Sequence, residues 1–230
     1  MRKTRVVYPL IMLITSLLVA GFVYAREVGG IRFFTRDVNS AERSAAMKDL
    51  VLRLAAVKAD LANDRVIAKV NGSPIYLSDF ALKQAVIENR RASKGLALPE
   101  SSEVLAAVVR EKLLAEEAKR LGVFPSDAEV RKDVSETRKK FESTADPELI
   151  RAFEMSGLTN EYYWNEVALR LHRQLIIVVN INNAVMEKNP RHAGELNEAY
   201  RKRIYRLNER RMQELIDSAH IEILDKKMLK

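Results

Sequence analysis

The pattern of hydrophobic and polar residues is most regular between Val66 and Val130, where it changes from the period of a strand to that of a helix. The β-branched run Val66–Val70 precedes Asn71-Gly72, a dipeptide that favours the left-handed backbone of a two-residue hairpin turn. Ile75–Leu77 resumes an extended run, and Ser78-Asp79 offers an N-cap for the helix that follows. The pattern predicts a β-hairpin and then a helix.

Two further helices follow with clear termination signals. The helix over 77–91 is followed by one that starts near Ser101 and ends at Gly122, a common residue just past a helix. Ser126 and Glu129 have the spacing of a capping box and start the next helix. The predicted core positions of this region share helical spacing: Phe80, Leu82, Val86, Ile87, Val104, Leu105, Val108, Val109, Leu113, Leu114, Val130, Val134 and Phe141.

The C-terminal half continues as helices and ends in one short alternating run. Asp146-Pro147 starts a short helix that closes at Gly157, and Thr159 caps a long helix. A last helix is predicted over 193–218, and 221–224 has the alternation of a strand. A lone strand is unstable, so it is expected to pair with the hairpin. One side of the long helix carries Trp164, Val167, Ala168, Leu171, Leu175 and Val178.

The N-terminal segment is almost wholly apolar from Val6 to Ala25, after Arg2, Lys3 and Arg5. About 20 apolar residues span a bilayer as a helix, so residues 1–25 are either an uncleaved membrane anchor or a cleaved export signal. Both interpretations leave the basic end in the cytoplasm and export the body. Residues 26–64 are then a juxtamembrane linker followed by an amphipathic helix.

That helix is predicted over 40–62, and its apolar residues form a stripe in which successive members are alternately three and four positions apart. Such a stripe is the seam of a coiled coil, but it lasts only about two heptads. The sequence favours packing of the stripe on the chain's own body and leaves a weak dimer as the alternative. The stripe consists of Met47, Leu50, Leu54, Val57 and Leu61.

Composition narrows the functional classes. The 230 residues include 39 basic and 31 acidic residues, a net charge of +8, and no cysteine. The absence of cysteine excludes disulfides, thiolate metal sites and a thiol nucleophile. Because basic and acidic residues are mixed along the chain, the charge does not indicate a nucleic-acid partner.

The ordered set of segments resembles the N-terminal domain of the SurA and PrsA class of secreted chaperones. The similar segments are VIAKVNGSPIYLSDF (66–80), REKLLAEEAKRLGVFPSDAEV (110–130) and SGLTNEYYWNEVALRLHRQL (156–175). The resemblance covers residues 65–230. It implies a mainly helical bundle with a small hairpin paired to the C-terminal strand, and the ATP-independent binding of unfolded polypeptides.

The catalytic domain of that class has no room here. A parvulin prolyl isomerase would be inserted between the last two helices, where only the segment from Met186 to Glu195 is available. His172, His192 and His220 stand alone in sequence, no catalytic motif is present, and Glu116-Glu117 is interpreted as part of a solvated face. The sequence predicts a protein without enzymatic activity, cofactor or metal.

The candidate client-binding residues form an aromatic and methionine cluster. Three consecutive aromatic residues on a helix cannot all face one core, so at least one is expected to point outward. The alternative is that Trp164 and Phe153 are ordinary core residues and the tyrosines lie at its rim. The candidates are Phe141, Phe153, Met155, Leu158, Tyr162, Tyr163 and Trp164.

Two functions remain open at this point. The first is an exported holdase that covers apolar segments of unfolded clients with adaptable aromatic and methionine side chains. The second is a membrane-tethered scaffold or assembly partner with one dedicated protein partner. In the second case Lys202, Arg206 and Arg210, which share a helix face, would contact that partner or the lipid surface.

Export makes a direct prediction about topology. Since the positive charges precede the apolar segment, protease added to intact spheroplasts is expected to digest the body of the protein. Protection of the body until the cells are lysed would contradict export.

Overall fold

The structure is a computed structural model, and it describes residues 40–144 and 147–229. In this part of the chain the fold is mainly helical with one small antiparallel sheet, as the sequence predicts. The first half contains the helices α1 (Ser40–Ala56) and α2 (Lys58–Leu61), the strands β1 (Val66–Val70) and β2 (Ser73–Tyr76), and the helices α3 (Leu77–Ala92) and α4 (Ser101–Arg120).

The second half is helical up to its last strand. It contains α5 (Asp127–Thr144), α6 (Pro147–Ser156), the single turn α7 (Asn160–Tyr162), a π-helical turn (Tyr163–Val167), α8 (Ala168–Lys188), α9 (Asn197–Ser218), β3 (Ile221–Ile223) and a 3₁₀ turn (Lys226–Leu229). The last helix therefore begins at Asn197 and not at residue 193, because residues 189–196 form the turn before it.

The turn between α8 and α9 is held by one charged side chain. Arg203 donates to both carboxylate oxygens of Glu195, at 3.0 and 2.9 Å, and to the carbonyl oxygen of Pro190 at 2.9 Å. The hydrogen bonds from Arg203 lower the pKa of Glu195 to about 2. The connection between the two long helices is thus a fixed turn.

The hairpin is confirmed in detail. Asn71 and Gly72 have φ values of 51° and 81°, the left-handed backbone that a two-residue hairpin turn requires. An irregularity in the pairing between Val66 and Ala68 allows Ile67 and Ala68 both to be buried, although neighbours on a regular strand face opposite sides.

The C-terminal strand pairs with the hairpin, as the sequence predicts. β3 runs antiparallel to β1, with Val70 opposite Ile221 and Ala68 opposite Ile223, so the strand order is β2-β1-β3. One face of this sheet packs on α3, α4 and α9 around the first hydrophobic core. The buried residues of that core are Ile67, Ala68, Val70, Ile75, Leu77, Phe80, Val104, Leu105, Ala106, Val108, Val109, Leu113, Met212 and Ile216.

Most of the predicted helix termini are confirmed. Gly122 has a φ of 71° and its amide donates to Lys119, while the amide of Val123 donates to Ala118, which together form a Schellman motif. Ser126 Oγ accepts the amide of Glu129, and Thr159 Oγ1 accepts the amide of Tyr162.

The predicted cap at Ser78 is wrong. The helix α3 begins at Leu77, and Ser78 is buried inside its first turn. The Asp79 carboxylate instead accepts the amide of Tyr76 at 3.2 Å, and the helix follows Tyr76, the last residue of β2, without a linker.

The apolar stripe of the first helix packs on the chain's own body, the interpretation that the sequence favours. Leu54 and Leu61 are buried in a second hydrophobic core, and Met47, Leu50 and Val57 pack against it. The buried residues of this second core are Val51, Leu54, Leu61, Ala81, Leu82, Ala85, Val130, Val134, Leu149, Phe153, Leu158, Tyr163, Trp164, Val167 and Ala168. The helix breaks at Val57, which separates α1 from α2. Because this stripe is covered by α3 and α6, a dimer through it would first have to unpack the core.

The neighbours Glu116 and Glu117 are not a solvated face, and that interpretation is wrong. Glu117 is 3% exposed and forms ion pairs with Arg120 at 2.7 Å and Arg211 at 3.1 Å. Hydrogen bonds from Arg120 and then Arg211 lower its pKa to about 2. Glu116 accepts from Asn71 Nδ2 at 2.9 Å and from Ser73 Oγ at 3.0 Å.

The predicted membrane segment at residues 6–25 lies outside the described residues. Within 40–144 and 147–229, no helix is long and apolar enough to cross a bilayer.

Removing the third strand is expected to destabilise the whole fold. Deletion of Ile221–Lys230 strips β1 of one hydrogen-bonding partner and exposes the first core, which is expected to cost roughly 2–4 kcal/mol of unfolding free energy. Deletion of Lys226–Lys230, which leaves β3 in place, is the control and is expected to cost less. Equal melting temperatures for the full chain and the longer deletion would contradict the pairing as a source of stability.

Candidate functional site

The aromatic cluster predicted from the sequence is mostly interior. Phe153, Leu158, Tyr163 and Trp164 are all buried in the second core. The rings meet edge to face, with centroids 5.5 Å apart for Phe141 and Trp164, 5.5 Å for Phe153 and Tyr163, and 5.0 Å for Tyr163 and Trp164. Aromatic rings favour this geometry in a packed core.

The π-helical turn explains how two consecutive aromatic residues are both buried. A π turn holds an additional residue compared with an α turn, so it changes the direction of the side chains that follow it. Tyr163 and Trp164 thereby both point into the core, with Tyr163 Oη 3.9 Å from the sulfur of Met47. Burial raises the pKa of the Tyr163 hydroxyl. Trp164 Nε1 is buried and has no hydrogen-bond partner among the described residues.

The long helix also differs from its predicted facing after this turn. Leu171, Leu175 and Val178 were expected to continue its buried side, but the buried positions beyond Ala168 are Ile177 and Ile181. These two pack with Ala118 in a third, smaller core. The helix passes from one core to another, so its buried face changes along its length.

The remaining candidates lie nearer the solvent. Phe141 and Tyr162 are half-buried against the second core, and Met155 is 86% exposed. The alternative in which Trp164 and Phe153 are core residues agrees with this packing. Of the predicted cluster, only Met155, Tyr162 and Phe141 offer surface to a client in this conformation, and their role in binding stays a prediction.

A groove not singled out in the sequence lies beside the same turn. It holds about 210 Å³ between α3, α4 and the segment formed by the π turn and α8. Its apolar lining comes from Leu82, Val86, Val108, Leu169 and Leu171. Asn165 and Glu166 project from the π turn at its edge, and π turns occur frequently at functional sites.

Charged residues of both signs surround this groove. Lys83 pairs with Glu111, Lys112 pairs with Asp79 at 2.8 Å, and Arg173 pairs with Asp127 at 2.7 Å. Among the described residues, Glu166 and Arg170 have no ion-pair partner. The rim therefore retains one free acid and one free base beside an apolar floor.

The sequence did not predict the groove because its apolar lining residues resemble ordinary core positions. Leu82, Val86 and Val108 were expected to be core, and Leu82 and Val108 are indeed buried. A groove depends on the distance between helices, which the periodicity of one helix does not determine. In the described chain, the π turn is the one local backbone feature that indicates where the groove lies.

The other polar clusters are weaker candidates for a functional site. A second, more polar cavity of about 330 Å³ lies between Phe124 and α8 and is lined by Asn180, Asn183 and Glu187. The sequence suggested that His172 stands alone, but its Nδ1 lies 2.6 Å from a carboxylate oxygen of Asp133. His192 and His220 are exposed. No group of side chains within the described residues has the arrangement of a metal site.

One part of the chain is similar to a known family. Residues 51–152 match the family described as the SurA-like N-terminal domain, and this range includes the hairpin, α3, α4 and α5, with their order along the chain. Residues 51–152 are therefore similar to a SurA-like N-terminal domain. No curated protein and no solved structure matches the chain significantly.

The matched family has a general role. At the level of that family, a SurA-like N-terminal domain is of the chaperone type, is non-catalytic and binds polypeptides. The groove has walls from α3 and α4, inside the matched range, and from the π turn and α8, which follow it. The site is thus completed by residues beyond the matched domain.

Two substitutions distinguish core from surface in the aromatic cluster. Trp164→Ala is expected to lower the unfolding free energy by about 3–5 kcal/mol because it leaves a cavity in the second core. Met155→Ala is expected to change it by less than about 0.5 kcal/mol because Met155 is exposed. Urea unfolding measures both, and equal losses for the two variants would contradict the packing described above.

Proposed function

We propose that the protein is an exported, membrane-associated holdase that binds unfolded or partly folded polypeptides without ATP and without catalysis. The observation that carries the proposal is the groove between α3, α4 and α8, with an apolar floor and a rim of both charges. The family match supports a chaperone-type role, and the apolar segment at residues 6–25 supports export and attachment to the membrane.

The groove fits the chemistry of an unfolded client. Unfolded segments expose apolar side chains, which the floor covers, next to polar and charged residues of either sign, which the rim accommodates. Glu166 and Arg170 are free for such contacts, since no ion pair within the described chain uses them. A site of this kind selects apolar character more than a particular sequence, as a holdase requires.

Residues outside the groove extend the proposed client surface. Met155 is the most exposed of the large hydrophobic side chains, and a flexible thioether adapts to varied partners. Tyr162 lies at the rim of the second core, immediately before the π turn that carries Asn165 and Glu166. These side chains would contact client segments that leave the groove.

The test is suppression of aggregation by the full-length chain held in lipid nanodiscs. Unrelated proteins diluted from denaturant are expected to stay soluble at stoichiometric amounts of the chaperone, with and without ATP. Leu169→Gln, which places an amide on the groove floor, is expected to reduce this activity several-fold. Leu52→Gln is the matched control, because Leu52 is a leucine 49% exposed on α1, outside the groove.

Two results would overturn the proposal. One is the absence of any suppression for every client tested, while a single protein is bound tightly at fixed stoichiometry, which would favour a dedicated scaffold. The other is equal activity of the Leu169→Gln and Leu52→Gln variants when both are folded by circular dichroism, which would exclude the groove.

A further inference from the structure

The three-stranded sheet has two outer edges, one on β2 and one on β3. An outer edge presents backbone N–H and C=O groups that are free to pair with another strand, and proteins usually block such edges. The two edges of this sheet differ in that respect.

The edge of β2 is blocked by a proline. Val70 and Ser73 flank the two-residue turn and are hydrogen-bonded to each other. In the next pair, Lys69 and Pro74, the backbone groups therefore point away from the ladder between β1 and β2. The outward position on β2 is therefore occupied by Pro74, which has no N–H. A further strand could not complete its hydrogen bonds along this edge.

The edge of β3 has no such block. The amide of Asn71 donates to His220 at 2.8 Å, and the amide of Leu224 donates to Ile67 at 2.9 Å, which fixes the register of the ladder. Because the direction of backbone groups alternates along a strand, the N–H and C=O groups of Ile221 and Ile223 point away from β1. Neither amide has a backbone partner among the described residues.

The side chains around the outer edge of β3 would allow another strand to pair with it. Ile221 and Ile223 pack against the first core, so the strand is held from one face, and Leu224 beside them is 47% exposed. Glu222, between the two isoleucines, is exposed on the other face. An added strand would place its own apolar side chains next to Ile221 and Ile223 at the border of the core.

We propose that the outer edge of β3 binds an extended segment of an unfolded client as a fourth strand, through the backbone groups of Ile221 and Ile223. This inference rests on the proposed holdase function and adds a second site, which recognises the backbone rather than side chains. Unfolded chains are the partners that carry unpaired backbone groups in extended conformation, and recognition of the backbone does not depend on sequence. An open edge on one side only also limits the sheet to a single added strand.

The test separates backbone pairing from other contacts in both the protein and the ligand. The protein variant is Ile223→Pro, which removes one outward N–H and leaves the ladder bonds of Glu222 and Leu224 to β1 intact. Ile223→Ala is the matched control, since it loses the same packing and retains the N–H. The probe is a fluorescent octapeptide of alternating threonine and valine, compared with the same peptide N-methylated at every second residue.

Anisotropy titrations use the full-length chain in nanodiscs. The Ile223→Pro variant is expected to bind the unmethylated peptide about fivefold more weakly than Ile223→Ala, the effect of about one hydrogen bond. The N-methylated peptide is expected to bind weakly to both. Equal affinity of the two variants, or of the two peptides, would overturn the proposal.

Other occupants of the edge give distinct results. Slow hydrogen exchange at the amides of Ile221 and Ile223 in the free protein would mean that another part of the chain covers the edge, which overturns the proposal. A dimer that Ile223→Pro prevents would mean that a second copy occupies it, with the same consequence. Loss of peptide pairing with aggregation suppression intact would reject only this inference, whereas loss of the groove effect would reject the proposed function.

Discussion

The pairing of β1 with β3 is the constraint on which the rest of the fold depends. It joins two segments that lie near opposite ends of the described chain and supplies the third strand of a sheet whose hairpin alone would be marginally stable. With β3 in place, α9 must return across α4, and Met212 and Ile216 close the first core beneath the sheet. The helices between the two strands are thereby confined to one bundle.

Two neighbouring carboxylates on α4 also connect the hairpin to α9. Glu116 binds Asn71 and Ser73 in the hairpin turn, and Glu117 binds Arg211 on α9. One turn of one helix is thus connected both to the hairpin turn and to the last helix. Because Glu117 is buried and its charge is compensated by Arg120 and Arg211, the loss of these partners would leave an uncompensated charge inside the protein, which is strongly destabilising.

The sequence predicted the features that depend on a few adjacent residues. Asn71-Gly72, Gly122 and Thr159 each impose a local backbone geometry, and each is observed where it was expected. The facing of the long helix was not predictable, since a π turn has no reliable sequence signal and alters the direction of every later side chain. The role of Glu117 was equally hidden, because Glu116, Lys119 and Arg120 close to it in sequence are charged and its partner Arg211 is distant along the chain. The groove depends on the distances between three helices, and the hydrophobic periodicity of any one helix does not determine those distances.

The two proposed binding surfaces share α4 as their support. Val108 belongs to the first core under the sheet and also lines the groove, so the same helix face serves both. At the rim of the groove, Lys112 pairs with Asp79, and its ammonium group lies 5.9 Å from the ring centroid of Tyr76 at the end of β2, so the groove borders the sheet on the side opposite to β3. The groove would cover apolar side chains of a client, while the edge of β3 would pair with its backbone. Since an unfolded segment exposes both kinds of group, a fold that presents both surfaces would hold such a segment without reading its sequence.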